Sequence, residues 1–195
     1  ARIVGSAEAL ADVVGLAMES SPSVDPTLEL CRRSRARSPK VGIAIQAYLF
    51  RTEKDVESLI PLGSAIRIVK GAYLEPPSVA FPDKADVDRN YVKLMQRLMS
   101  AGNYPGLATH DETIIGQARE FAGRERIGTD RYEFQMLYGV RRDLQTRLRR
   151  AGHNMRVYIP FGTQWYPYLM RRLAERPANI AFVLGNMMKE LVPGR

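Results

Sequence analysis

The chain carries a single cysteine, Cys31, and only two histidines, His110 and His153, in 195 residues. One thiol excludes an internal disulfide framework and suits a reducing compartment. Two isolated histidines with one cysteine cannot assemble a standard metal site, so no metal is expected. No apolar run approaches the roughly 18 residues that a membrane-spanning helix needs. The opening Ala1-Arg2-Ile3-Val4-Gly5 has no signal-peptide apolar region and no initiator methionine, so the chain reads as a fragment. Gly-x-Gly-x-x-Gly and phosphate-loop patterns are absent, which removes the usual fingerprint of a doubly wound nucleotide-binding sheet. No serine nucleophile and no convincing carboxylate pair stand out.

The rest of the composition, 45% hydrophobic and 26% charged, is that of an ordinary soluble globular chain long enough for one substantial core. Against 21 acidic residues stand 29 basic ones, a net charge of +8 that favours anionic partners without choosing among them. Much of the excess lies in Arg32-Arg33-Ser34-Arg35-Ala36-Arg37 and in Arg141, Arg142, Arg147, Arg149 and Arg150. Helical spacing makes both clusters solvated outer faces. Neither interleaves aromatics with its bases, so nucleic acid is not an expected partner.

Strand and helix patterns alternate along the chain. Small apolar residues over 1–15 predict a helix, 13–18 a short strand, and Glu19-Ser20-Ser21-Pro22 a turn. Asp25 as N-cap and Pro26 in the first turn open a helix through Leu28, Leu30 and Cys31. Residues 41–49 form a nearly continuous apolar run, as a parallel strand covered on both faces should. A helix starts at Thr52, and Arg67-Ile68-Val69-Lys70-Gly71-Ala72-Tyr73 alternates as a half-buried strand ending on a glycine. Residues 75–82 are a proline-bearing loop too long for a simple connection. Then come a helix over 87–99, a strand from Gly106, a helix capped by Asp111, a strand over 132–139, a helix over 144–150, a strand over 155–162 and a helix over 165–176. The apolar tail 180–191 is expected to pack outside.

Polar residues gather at the strand ends: Gln46 and Tyr48, Lys70 and Tyr73, Thr109 and His110, Gln135 and Tyr138, and Tyr158. Chemistry spread over many strand ends is the pattern of an α/β (βα)8 TIM-type barrel, whose site lies on its C-terminal face. A full barrel takes around 250 residues. The expectation is therefore one barrel domain over residues 1–195 that lacks its first strands at the N-terminus. His110 would face the pocket, as structural hydrogen-bonder or as catalyst, and His153 would be exposed in a turn. Tyr168, Arg171 and Arg172 share a helical face, so paired guanidiniums beside a phenol make either a clamp for a small carboxylate or a solvent-facing basic helix end.

The segments 46–55 (Gln-Ala-Tyr-Leu-Phe-Arg-Thr-Glu-Lys-Asp), 67–73, 108–111 (Ala-Thr-His-Asp), 132–139, 156–162 and 168–172 occur in the order and at the spacing of the proline dehydrogenase family. The chain resembles that family over about residues 18–185, and the short bacterial single-function enzymes more than the large bifunctional ones. The resemblance implies an FAD-dependent barrel that oxidises L-proline to Δ1-pyrroline-5-carboxylate and passes electrons to a membrane quinone. The protein would be cytoplasmic, with peripheral contact at the inner face of the cell membrane. By motif, Arg67 would sit beside the flavin and act in catalysis with Tyr158. Arg171, Arg172, Tyr168 and Tyr73 would hold the substrate. Met18, Gln46, Val69, Lys70, Gly71, Ala72, Thr109, His110 and Glu175 would bind FAD. Two features depart from the family: an early strand with a substrate-contacting lysine has no counterpart, and Ala17-Met18-Glu19 stands where the family has Asp-Met-Glu. A catalytically impaired FAD- or anion-binding remnant of the barrel is the alternative reading.

Overall fold

A computed structural model of the protein describes residues 13–163 together with Gly5. Within it lie six strands: β1 (Val14–Leu16), β2 (Val41–Gln46), β3 (Ala65–Val69), β4 (Asn103–Ala108), β5 (Glu133–Leu137) and β6 (Asn154–Tyr158). Between them run α1 (Val24–Arg35), α2 (Thr52–Leu59), α3 (Lys84–Ala101), α4 (Glu112–Arg124) and α5 (Arg142–Arg150). All strand pairs are parallel, and their spatial order is their order in sequence, β1 to β6. A doubly wound sheet would reverse that order at a switch point. The six strands instead make a curled half-barrel of the TIM type, as expected.

Each strand divides its residues between two faces. In β3, Ile66 and Ile68 are buried, whereas Arg67 and Val69 are half-buried. Helix α3 packs over β3 and β4 with Val87, Tyr91, Leu94, Met95 and Leu98 buried on one face. Tyr91 is completely buried, its hydroxyl 3.4 Å from the Ile68 carbonyl oxygen, and burial pushes its pKa up. Cys31, also completely buried, lies with its Sγ 3.7 Å from Ser64 Oγ. The core is thus the outward face of the sheet under its helices, and the inward face is left for other work.

Several local expectations change. Asp25 is not the N-cap of α1: Ser23 takes that position, and Asp25, in the first turn, forms an ion pair at 2.5 Å with Arg51. Strand β2 ends at Gln46, and the chain beyond it turns so that Leu49 bridges Ala80. Strand β4 begins earlier than Gly106 and takes in Pro105, which has no N–H to give the ladder. The irregularity is absorbed by a bulge: Ala65 pairs with Asn103 but Arg67 pairs with Gly106, and Tyr104 turns to φ 48°. His153, expected to be exposed, is buried against Tyr132 and Phe134, its Nδ1 3.4 Å from the Tyr132 hydroxyl. Burial, then the charge of Arg119, holds its pKa below the usual histidine value.

The basic clusters are not wholly solvated. Arg35 donates from Nε to the Leu62 carbonyl at 2.9 Å and from Nη2 to the Gly63 carbonyl at 2.7 Å, tying α1 to the turn before β3. Arg141 precedes α5 in the left-handed conformation, φ 54°, and pairs with Glu112 and Asp143. The predicted helix over 165–176 and the tail 180–191 lie outside the described residues, as does most of the predicted helix over 1–15.

Candidate active site at the C-terminal strand ends

Register places the inward side chains. Ala44 of β2 lies beside Arg67 of β3, Arg67 beside Gly106 of β4, and Gly106 beside Glu133 of β5. Strand β5 pairs in turn with β6, Gln135 beside Arg156 and Leu137 beside Tyr158. Glycine at 106 matters because an added Cβ would come within 2.5 Å of Gln135 Nε2. The space lets the Gln135 amide reach across β4, where its Oε1 accepts from Arg67 Nε at 2.7 Å. Gln135 Nε2 donates to Glu133 Oε1 at 2.7 Å, and Arg156 grips the same buried carboxylate through Nε at 2.6 Å and Nη2 at 3.0 Å. On its other side the Arg67 guanidinium lies 5.4 Å from the centroid of the Tyr158 ring, a cation–π distance. The two residues expected to be catalytic, 91 positions apart in the chain, therefore meet on one face.

Past β3 the backbone turns sharply at Gly71, φ 117°, and packs on the Tyr48 ring so closely that an added Cβ would stand 2.2 Å from Tyr48 Cδ1. Only glycine meets both conditions. Lys70, just before it, has its ammonium 2.5 Å from Asp88 Oδ1 and 2.9 Å from Asp111 Oδ2. Asp111 caps α4 by accepting from Thr113 N at 3.1 Å, as expected. Burial opposes its charge, but the Lys70 hydrogen bond and charge, with the Ile114 and Thr113 amides, keep its carboxyl below the usual range.

The long loop between β3 and α3 folds back over the end of β2. Phe81 N donates to the Tyr48 carbonyl at 2.8 Å, Phe50 N to the Val79 carbonyl at 3.1 Å, and the Phe50 and Phe81 rings meet edge to face at 4.6 Å. It also reaches the segment after β1. Tyr73 donates its hydroxyl to Glu19, and Glu75 accepts from the amide and the hydroxyl of Ser21, both at 2.6 Å.

His110 leaves β4 with its Nε2 accepting the Leu137 amide proton at 3.0 Å. Burial, then the charges of Arg141 and Arg67, push its pKa down to about 4. The imidazole is therefore neutral near pH 7 with its proton on Nδ1, and it works as a structural acceptor.

The other sequence candidates are placed as follows. Gln46 is buried and donates from Nε2 to the Glu19 carbonyl at 2.6 Å, opposite Val69 in register. Thr109 is buried, and its hydroxyl accepts from Asp111 N at 3.1 Å. Met18 joins the core, Ala17 is exposed at the end of β1, and Ala72 is half-buried after Gly71. Tyr168, Arg171, Arg172 and Glu175 lie outside the described residues. What sequence reasoning missed are the partners: Glu19, Glu75, Asp88 and the Glu133–Arg156 pair. Only the alternation of Glu133 and Gln135 in β5 hints that both point inward. No cluster among the described residues could hold a metal ion.

A half-barrel of sequential parallel strands, with its polar residues converging at the C-terminal ends, defines a protein of the α/β-barrel class. The family profile of proline dehydrogenase matches residues 2–184, and the chain belongs to the proline dehydrogenase family. It is 48% identical over 190 residues to the proline dehydrogenase of Deinococcus radiodurans, covering 96% of this chain and 61% of that one. With proline dehydrogenase 2 of Bacillus subtilis strain 168 it shares 44% over 189 residues, 97% of this chain and 62% of that one. The chain thus spans about three fifths of these relatives' length. Among solved structures, a bifunctional proline utilization A (PutA) protein superposes with a TM-score of 0.82 at 27% identity, over 95% of this chain and 21% of that one. PutA from Bdellovibrio bacteriovorus, inactivated by N-propargylglycine, gives 0.80 at 27% identity over 88% and 20%.

Proposed function

We propose that this chain supplies the larger part of a site that oxidises L-proline to Δ1-pyrroline-5-carboxylate, with FAD as cofactor and a membrane quinone as final acceptor. The observation that carries this reading is the meeting of Arg67, Gln135 and Tyr158 on the inward face, in a chain of the proline dehydrogenase family. The donor set suits an anionic aromatic cofactor: a guanidinium beside a phenol, the Lys70 ammonium and the His110 imidazole. Arg67, Lys70, His110 and the Gly71 turn would hold FAD, with Met18, Gln46, Val69, Ala72, Thr109 and Glu175 around it. Bound FAD supplies the two-electron acceptor chemistry that side chains lack.

The reaction takes two electrons and two protons from proline as a ring C–N bond becomes C=N. Arg67 places a fixed cation where negative charge builds during that transfer, and a cation held by Gln135 and Tyr158 needs no reorganisation at that moment. Tyr73 and Tyr158 would border the proline ring. Arg171 and Arg172, with Tyr168, would clamp its carboxylate and orient the bond that breaks. No described helix is long and apolar enough to cross a membrane, and the net charge of +8 supports peripheral contact with an anionic inner leaflet from the cytoplasm.

The purified protein should be yellow, and L-proline should bleach it anaerobically and reduce a quinone analogue. Arg67→Met should bind flavin but lose at least tenfold in kcat. A colourless protein that takes up no added FAD would refute the reading. Ala17, a methyl where the family has a carboxylate, favours a second reading, an impaired FAD-binding remnant. That reading wins if flavin binds but proline never bleaches it.

A further inference from the structure

We propose that Gln135 is a positioning residue for Arg67, its amide fixing the guanidinium beside the Tyr158 ring. The inference rests on the proposed function above and adds a residue to its machinery. Three observations carry it.

First, the amide orientation is set at both ends. Arg67 Nε can only donate and the Glu133 carboxylate can only accept, so Gln135 must turn Oε1 to the former, at 2.7 Å, and Nε2 to the latter, at 2.7 Å. Second, the barrel makes room for this one side chain: Gly106 lies between the two strands, and any Cβ there would fall 2.5 Å from Gln135 Nε2. Third, Glu133 is already satisfied as a charge by Arg156, which holds it through two nitrogens at 2.6 and 3.0 Å. The chain of contacts therefore runs from the Glu133–Arg156 ion pair through a neutral amide to the Arg67 guanidinium. A carboxylate in place of Gln135 would add a negative charge beside Arg67 and face Glu133 across a hydrogen-bond distance. An apolar side chain would leave Arg67 Nε–H and one Glu133 oxygen without this partner, and Arg67 would lose a bond that orients it beside Tyr158.

The test uses the holoenzyme with Gln135→Leu, Gln135→Glu and Gly106→Ala, each checked by thermal melting. Gln135→Leu should lower kcat at least tenfold with less than a threefold change in the proline KM. Gly106→Ala, which displaces the amide without removing it, should move kcat the same way. Gln135→Glu should lower the midpoint potential of the bound flavin by about 30 mV or more, the equivalent of a tenfold loss of stabilisation for a two-electron couple. A readout independent of turnover is the Arg67 Nε–H resonance of the cofactor-free protein: it should be protected from solvent exchange in the native sequence and exposed in Gln135→Leu. If a Leu variant failed to fold, Gln135→Glu and Gly106→Ala still decide. Native kcat and potential in folded Gln135 variants, while the unmodified enzyme oxidises proline, would overturn this inference alone. An unmodified protein that binds no flavin would overturn the proposed function and this inference with it.

Discussion

Acidification should destabilise the fold through His110, and the structure sets the size of the effect. Its imidazole accepts the Leu137 amide proton through Nε2 at 3.0 Å, and burial with the charges of Arg141 and Arg67 holds its pKa at about 4 against an ordinary 6.5. Between those two values the unfolded chain takes up a proton that the folded one refuses. Stability is therefore complete above pH 6.5 and falls as the pH drops toward 4, where this contribution stops changing. A displacement of that size corresponds to about 3 kcal/mol at most, of which about 2.5 kcal/mol should be gone by pH 4.5. The assay is urea denaturation without added flavin from pH 7.5 to 4.5, comparing the native sequence with His110→Gln, whose side-chain oxygen can still accept from Leu137. His153 is shifted in the same direction by burial, and arginine partners hold the Glu112 and Asp143 carboxyls below the usual range; all are present in both proteins and cancel in the difference. Relative to the native sequence, the variant should gain about 2 kcal/mol or more on going from pH 7.5 to 4.5. Parallel pH profiles, or a His110 ring titration by NMR with a midpoint near 6.5, would refute the account.

Two further outcomes follow from packing. Gly71→Ala forces a side chain into φ 117° and against the Tyr48 ring at 2.2 Å, so it should cost about 3 kcal/mol; a change in urea midpoint worth less than about 1 kcal/mol would contradict the observed turn. Cys31 is completely buried and burial pushes its thiol pKa up, so a thiol reagent should react with it only after unfolding. Rapid labelling of the native protein at pH 8 would show that the Val24, Leu28 and Cys31 face of α1 is not packed away from solvent.

Much of the fold is legible in the residues because the relevant physics is local. Alternation in Ala65–Val69 and Glu133–Leu137, apolar spacing in α3, and Asp111 ahead of a helix each name their element with no knowledge of the others. Boundaries were less legible where local rules compete. The strand pattern starts at Gly106, yet a bulge at Tyr104 keeps Pro105 inside β4; Asp25 reads as a cap, yet Arg51 claims it. His153 follows a glycine turn and reads as surface, but its ring is covered by Tyr132 and Phe134, which lie about 20 residues away.

The sequence by itself determined the order of strands and helices, the parallel sheet that this order requires, and the residue types gathered at the strand ends. The tertiary structure alone decided which of them meet. Arg67 finds Gln135, 68 positions on, because the register of three strands and a bare Cα at Gly106 bring an amide across the sheet. Lys70, a free cation in the sequence, is matched by Asp88 and Asp111 from two different segments. Glu19 and Glu75, two ordinary acidic residues in the sequence, fasten the loop after β3 to the segment after β1. Hydrogen bonds and ion pairs act over about 3 Å, and only closure of the chain brings residues far apart in sequence within that reach.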